Sequence, residues 1–224
     1  MKRYLPFVIL GVVALLAFGG AVLFYRAKRR PAVTMSTKNL AEESGADEKL
    51  HVLGNPNAPI TLEEFGDFEC VSCGVLSEPI NQLERDYRPK LRVIFHQAPS
   101  DIHPHAKEAA LAAEAASMQG RFWAMHDLLY REQATWSKAD DVRSLFNGYA
   151  AKLGLDVDRF KKDVAGEKCA ERIADDLALA VASHVETTPW ILINYWALGR
   201  SALNPDGVRK AVDAAVNGKP LPFD

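Results

Sequence analysis

Residues 58–73 read Ala-Pro-Ile-Thr-Leu-Glu-Glu-Phe-Gly-Asp-Phe-Glu-Cys-Val-Ser-Cys, and this stretch decides the fold. Ile60–Phe65 alternates as a strand does, with Ile60, Leu62 and Glu64 on one face. From Cys70 the period changes. Cys73, Leu76, Ile80, Leu83 and Tyr87 recur at spacings of three and four, the signature of one helical face, with Pro79 expected to kink it. A C-x-x-C that follows a strand and opens a helix is a redox motif with a mechanism. The first sulfur lies at a helix N-terminus, where unpaired N–H groups and the dipole favour a thiolate, the attacking species in disulfide exchange. The second, one turn on, can close a small ring with the first. Two other readings stay open. Half of a zinc site needs a second ligand pair, and the chain offers only Cys169 and the His103-Pro-His105 cluster. Two ordinary core cysteines would fit an interior run better than the strand-end loop at 66–70.

Working outward, His51–Leu53 reads as a short strand, Gly54–Asn57 as a turn, and Leu91–Phe95 as a second strong strand. Amphipathic helices are expected over His105–Met118, Phe122–Arg131, Lys138–Lys152 and Val157–Ala182, the last interrupted near Gly166. Trp190–Asn194 is a strand paired with Tyr195–Leu198, and Asn204–Asn217 is a closing helix with Asn204 or Asp206 as its cap. Strand, helix, strand, several helices, two strands and a helix make an α/β layer with a helical insertion.

Of 224 residues, 48% are apolar and 25% charged, which excludes a wholly disordered chain, and three Cys exclude a disulfide-dense scaffold. The formal charge of −2 hides an asymmetry. Residues 1–30 hold six of the 27 Lys and Arg and none of the 29 Asp and Glu, so the rest carries −8. A body this acidic argues against nucleic acid as a partner. Leu5–Tyr25 contains no charge and as a helix would extend about 31 Å, the thickness of the hydrocarbon core. It ends in Phe-Tyr-Arg-Ala-Lys-Arg-Arg, a poor cleavage site, so an uncleaved anchor is expected over 1–30. Residues 31–50 read as a flexible tether and 51–224 as the folded domain, with its insertion at about 104–184. The basic residues after the run would hold the domain in the cytoplasm by charge count, but long domains are often translocated regardless.

Phe65-Gly-Asp-Phe-Glu-Cys-Val-Ser-Cys73, His103-Pro-His-Ala106 opening an Ala-rich helix, Gln119-Gly-Arg-Phe-Trp-Ala-Met-His126, and Thr188-Pro189 before a strand together resemble the DsbA-like thiol–disulfide oxidoreductases of the thioredoxin superfamily. The resemblance spans roughly residues 50–217. It implies a thioredoxin fold with a helical insertion, preceded here by one transmembrane helix. It makes Cys70 and Cys73 the redox pair. Pro189 becomes the cis-proline beside it, with Thr188 before it as a substrate-binding position. Glu64 takes the place of the family's buried acid, six residues before Cys70, where a raised pKa would let it relay protons to Cys73.

The implied activity is the forming or exchange of disulfides in cysteine-containing proteins outside the cytoplasm. A membrane redox partner would reoxidise the pair, with neither cofactor nor metal. Three alternatives remain: a reductase or isomerase using the same residues, a metallochaperone-like module holding metal with Cys70, Cys73 and His103, and a redox-inactive binding module. Three positions depart from the family pattern: Val-Ser between the cysteines, Trp190 after the proline, and Asn194-Tyr195 without a turn glycine. Cys169 falls in line with Ile173 and Leu177 and reads as a small buried hydrophobe, or else as a regulatory or intermolecular thiol. Asp67 and Glu69 are expected either to weaken a Cys70 thiolate by repulsion or to be solvated, and His103 and His105 to order the start of a helix.

Overall fold

The computed structural model describes residues 50–222. The expected membrane segment and nearly all of the tether lie outside the described residues. Among the described residues, no helix is long and apolar enough to cross a membrane. Strand β1 (His51–Gly54) and β2 (Ile60–Gly66) lead into α1 (Val71–Asp86) and β3 (Leu91–Gln97). An insertion follows: α2 (Ala106–Ser117), α3 (Phe122–Arg131), α4 (Gln133–Trp136), α5 (Val142–Lys152), α6 (Val157–Val164) and α7 (Glu167–Ala182). The chain closes with β4 (Trp190–Ile193), β5 (Trp196–Ala197), a 3-10 turn at Arg200–Ala202 and α8 (Pro205–Val216).

The five strands lie in the order β1-β3-β2-β4-β5. Strands β2 and β3 are parallel and joined through α1, whereas β1, β4 and β5 pair antiparallel to their neighbours. Helices cover both faces of the sheet. Ile60, Leu62, Leu91, Val93, Ile191 and Ile193 pack with Leu76, Ile80 and Leu83 of α1 and Val208, Ala211 and Val212 of α8. On the opposite face Phe65 and Leu192 meet Ala180 of α7. Hence all of β2 is buried, as expected of a strand in the middle of a three-layer stack.

The second large core belongs to the insertion. Met125, Leu129, Trp136, Phe146 and Phe160 close around the alanines of α2 and reach Phe68 and Phe95. Cys169 is buried in it, with its Sγ 3.7 Å from Met118 Sδ, and burial pushes its thiol up to about 12.

Two polar clusters tie the insertion to the sheet. His96 lies between Glu63 (3.4 Å) and Asp176 of α7 (3.2 Å), and Asp176 also meets Arg172 (2.7 Å) and accepts from the Gln97 N–H (2.8 Å). Burial opposes the His96 cation, but the Asp176 and Glu63 carboxylates outweigh it and raise its pKa. On α2, Glu114 pairs with His51 (2.8 Å) and accepts from the Gln97 side chain (2.9 Å).

Several element boundaries shift for identifiable reasons. The helix expected from Lys138 begins at Val142, because the Asp141 side chain accepts from Ser144 N and caps it there. Helix α1 runs from Val71 to Asp86 with Pro79 inside it, close to the expected bounds. The β4–β5 turn works without glycine because Asn194 and Tyr195 both take positive φ, 48° and 73°, the geometry of a primed hairpin turn.

Candidate active site

The site forms where β2 ends. Asp67 makes the bend: its Oδ1 accepts from Glu69 N at 2.8 Å and its carbonyl from Cys70 N at 3.1 Å, a local turn that Asp side chains favour. Cys70 is left extended (φ −68°, ψ 118°) as the N-cap of α1, and no acid occupies the first helical turn. Gly66 is required here by close approach, since a Cβ on it would lie 2.4 Å from the Phe95 ring. From the insertion, Gln133 donates to the carbonyls of Phe68 (2.7 Å) and Cys70 (2.9 Å), and Tyr130 donates to the Asp67 carbonyl (3.3 Å). Strand β4 runs antiparallel to β2 with Trp190 opposite Phe65, so the residues before it reach the same end of the sheet. There the Thr188–Pro189 bond is cis, and the Thr188 carbonyl lies 3.5 Å from Cys70 Sγ.

The structure thus brings Cys70, Cys73, Glu64, Thr188 and Pro189 together, and gives the two thiols opposite surroundings. Both are free thiols. Cys70 retains 8% exposure and Cys73 none. A hydrogen bond with Cys73 holds the Cys70 thiol down at about 5 against the effect of burial; the Cys73 and Ser72 amides and Thr188 assist. Burial pushes Cys73 well above the usual thiol range, and its bond to Cys70 and the charge of Glu64 push the same way. Glu64 is buried, and its Oε1 has no hydrogen-bond partner among the described residues. Burial first, and then the Cys70 charge, raise it to about 8. At neutral pH the arrangement therefore holds one ionised sulfur at the head of α1, one protonated sulfur behind it, and a protonated carboxyl.

Asp67 and Glu69 are neither solvated nor free. Asp67 is buried and also accepts from Ser100 N (2.9 Å) and His103 Nδ1 (2.7 Å), while Glu69 accepts from His105 N (2.6 Å). Glu63 is buried on the opposite face of the sheet with His96. His103 is turned toward Asp67, and among the described residues no three His, Cys, Asp or Glu side chains are grouped to hold a metal ion. Trp190 packs beside Phe65, Ala98 and Ala180. Sequence reasoning missed Tyr130 and Gln133 altogether. They act from helices more than sixty positions away, and nothing in their spacing marks them.

Residues 46–214 match a family model described as thioredoxin. Among solved structures, the chain is similar to a thioredoxin-like oxidoreductase from Silicibacter pomeroyi DSS-3, at 26% identity and a TM-score of 0.60, covering 75% of this chain and 95% of that one. It also shares its fold with the thiol-disulfide exchange protein alpha-DsbA2 from Wolbachia pipientis, at 22% identity and a TM-score of 0.65, covering 82% and 96%. A curated relative, the Na(+)/H(+) antiporter NhaA 1 of Salinispora arenicola (strain CNS-205), is 40% identical over 178 residues, which are 78% of this chain and 26% of that protein. The chain spans about a quarter of the length of the curated relatives it matches.

Proposed function

Because the chain belongs to the thioredoxin family, we propose that it is a thiol–disulfide oxidoreductase whose redox pair is Cys70 and Cys73. The observation that carries this reading is the division of labour between the sulfurs: Cys70 at the head of α1, slightly exposed and with a pKa of about 5, and Cys73 sealed behind it and pushed up. A thiolate stabilised in this way favours the reduced pair, which makes the disulfide form an oxidant. The forming of disulfides in client proteins is therefore the preferred direction.

The oxidising cycle runs in two displacements. A client thiolate attacks Cys70 Sγ of the Cys70–Cys73 disulfide. The S–S bond breaks, and Cys73 leaves with the electron pair and takes a proton, which the protonated Glu64 carboxyl supplies. A second client thiolate then attacks the client sulfur bound to Cys70 and expels Cys70 as its stable thiolate. Two electrons pass to the pair, and the client gains one disulfide. Thr188 and Pro189 border Cys70 and offer backbone to an extended client segment. The exposed Val71, next to Cys70, offers it apolar surface.

A disulfide-forming cycle needs an oxidising compartment. With the charge-free run at Leu5–Tyr25, this supports a membrane-anchored protein whose domain faces away from the cytoplasm, reoxidised by a membrane redox partner. The test is a redox titration of the full chain with trapping by Cys73→Ala. The variant is expected to accumulate mixed disulfides through Cys70, and Cys70→Ser to accumulate none. A pair that titrates near thioredoxin's potential, about −270 mV, would reverse the direction. Failure of Cys73→Ala to capture any thiol would remove the exchange role.

A further inference from the structure

Asp67 makes a connection that the exchange cycle leaves unused. Both of its carboxylate oxygens are surrounded by donors: Glu69 N on Oδ1, and Ser100 N with His103 Nδ1 on Oδ2. This buried acceptor stands three residues before Cys70, whose own N–H donates to the Asp67 carbonyl. A negative charge fixed there opposes a thiolate at Cys70. His103 supplies the counter-charge. It comes from the loop between β3 and α2, it is 27% exposed, and its Nδ1 lies 2.7 Å from Asp67.

The titratable groups facing the His103 ring are Asp67 and Glu69 from the loop before α1, and Cys70 at the head of that helix. Asp101 and His105 share its own loop. Asp101 is exposed, and His105 is tied through its backbone N–H to Glu69. Burial works against the His103 cation, but the Asp67 bond and charge, then Cys70 and Glu69, raise its pKa above the ordinary histidine value.

We propose that His103 is a positioning residue for the redox pair: its imidazolium, clamped by Asp67, offsets that carboxylate at Cys70 and favours the reduced, ionised sulfur. The inference rests on the exchange reading of Cys70. Coupling between two charges is reciprocal. Oxidation of the pair removes the Cys70 charge and therefore loosens the proton on His103. The pair is accordingly most oxidising where His103 is protonated, and its equilibrium with glutathione shifts toward the disulfide as His103 loses its proton.

Two measurements on the full chain test this. The first needs no variant for its readout. The His103 ring-proton resonance, assigned by its absence from the spectrum of His103→Asn, is titrated in the reduced and the oxidised protein. The midpoint is expected to be higher in the reduced protein by about half a pH unit or more, and equal midpoints would overturn the proposal. The second uses His103→Asn itself, whose amide still donates to Asp67 but carries no charge. Its Cys70 alkylation midpoint is expected to rise, and its glutathione equilibrium at pH 6 to move toward the disulfide by about threefold or more. A purely structural role predicts a wild-type profile for this variant, and that result would refute the charge coupling. If wild-type Cys70 itself titrates as an ordinary thiol, the exchange reading fails and this inference falls with it. A low Cys70 midpoint beside an unresponsive His103 defeats only the inference.

Discussion

Replacing Glu64 with Gln should change how stability depends on pH. In an unfolded chain the carboxyl titrates near its model value of 4.5; in the folded protein it holds its proton to about 8. Below 4.5 both states are protonated and the group contributes nothing. Between 4.5 and 8 the folded state binds more protons than the unfolded state, so stability falls as pH rises, by about 1.4 kcal/mol per pH unit. At pH 7 the accumulated penalty is about 3 kcal/mol, and above pH 8 it levels off near about 5 kcal/mol. Glu64→Gln removes the titration and leaves a polar group in the same place. Any pH-independent cost of burying the amide cancels when the two proteins are compared at different pH values. The assay is urea unfolding of both reduced proteins at pH 5, 6, 7 and 8. The variant's advantage should grow by about 1.4 kcal/mol per unit across that series. Parallel profiles for the two proteins would mean that Glu64 ionises freely in the fold, and the proton-supply role would go with it. Oxidising the pair should leave the slope unchanged but end the rise at a lower pH, because the Cys70 charge is gone while burial, the larger cause, persists.

Two further substitutions test the architecture. Gly66→Ala puts a Cβ 2.4 Å and 2.7 Å from carbons of the buried Phe95 ring and 3.0 Å from the Tyr130 hydroxyl. A loss of about 1–3 kcal/mol is expected on urea unfolding, and an unchanged midpoint would show that the ring yields. In Asn204→Ala the cap of α8 disappears, since Asn204 Oδ1 accepts from Gly207 N at 3.0 Å. The expected cost is about 1 kcal/mol, largely restored by Asn204→Asp.

What the sequence disclosed, and what it withheld, follows from the range of the interactions involved. The period change between Phe65 and Cys73 is local, and the strand, the Cys70 cap and α1 all lie where it puts them. The same alternation placed Glu64 on the Ile60 and Leu62 face. It could not tell whether the other face met water. Thr61, Glu63 and Phe65 are buried too: α7, more than a hundred residues later, meets Phe65 through Ala180 and the Glu63–His96 pair through Asp176, while Arg92 donates to Thr61. Asp67 and Glu69 misled for the same reason. Their partners at Ser100, His103 and His105 approach only once β3 lies beside β2. The order of the strands and the help that Tyr130 and Gln133 give the Cys70 loop likewise depend on packing, and no spacing encodes them.

The Glu63–His96–Asp176–Arg172 cluster bears on how the molecule can move. It latches α7 to the two parallel strands through buried polar side chains. For the helical layer to swing away as a lid, these buried partners would all have to separate together. The cluster therefore holds α7 against the sheet along that side. For the proposed exchange, a thiol bound for Cys70 would approach on the side of the exposed Val71, away from that latch.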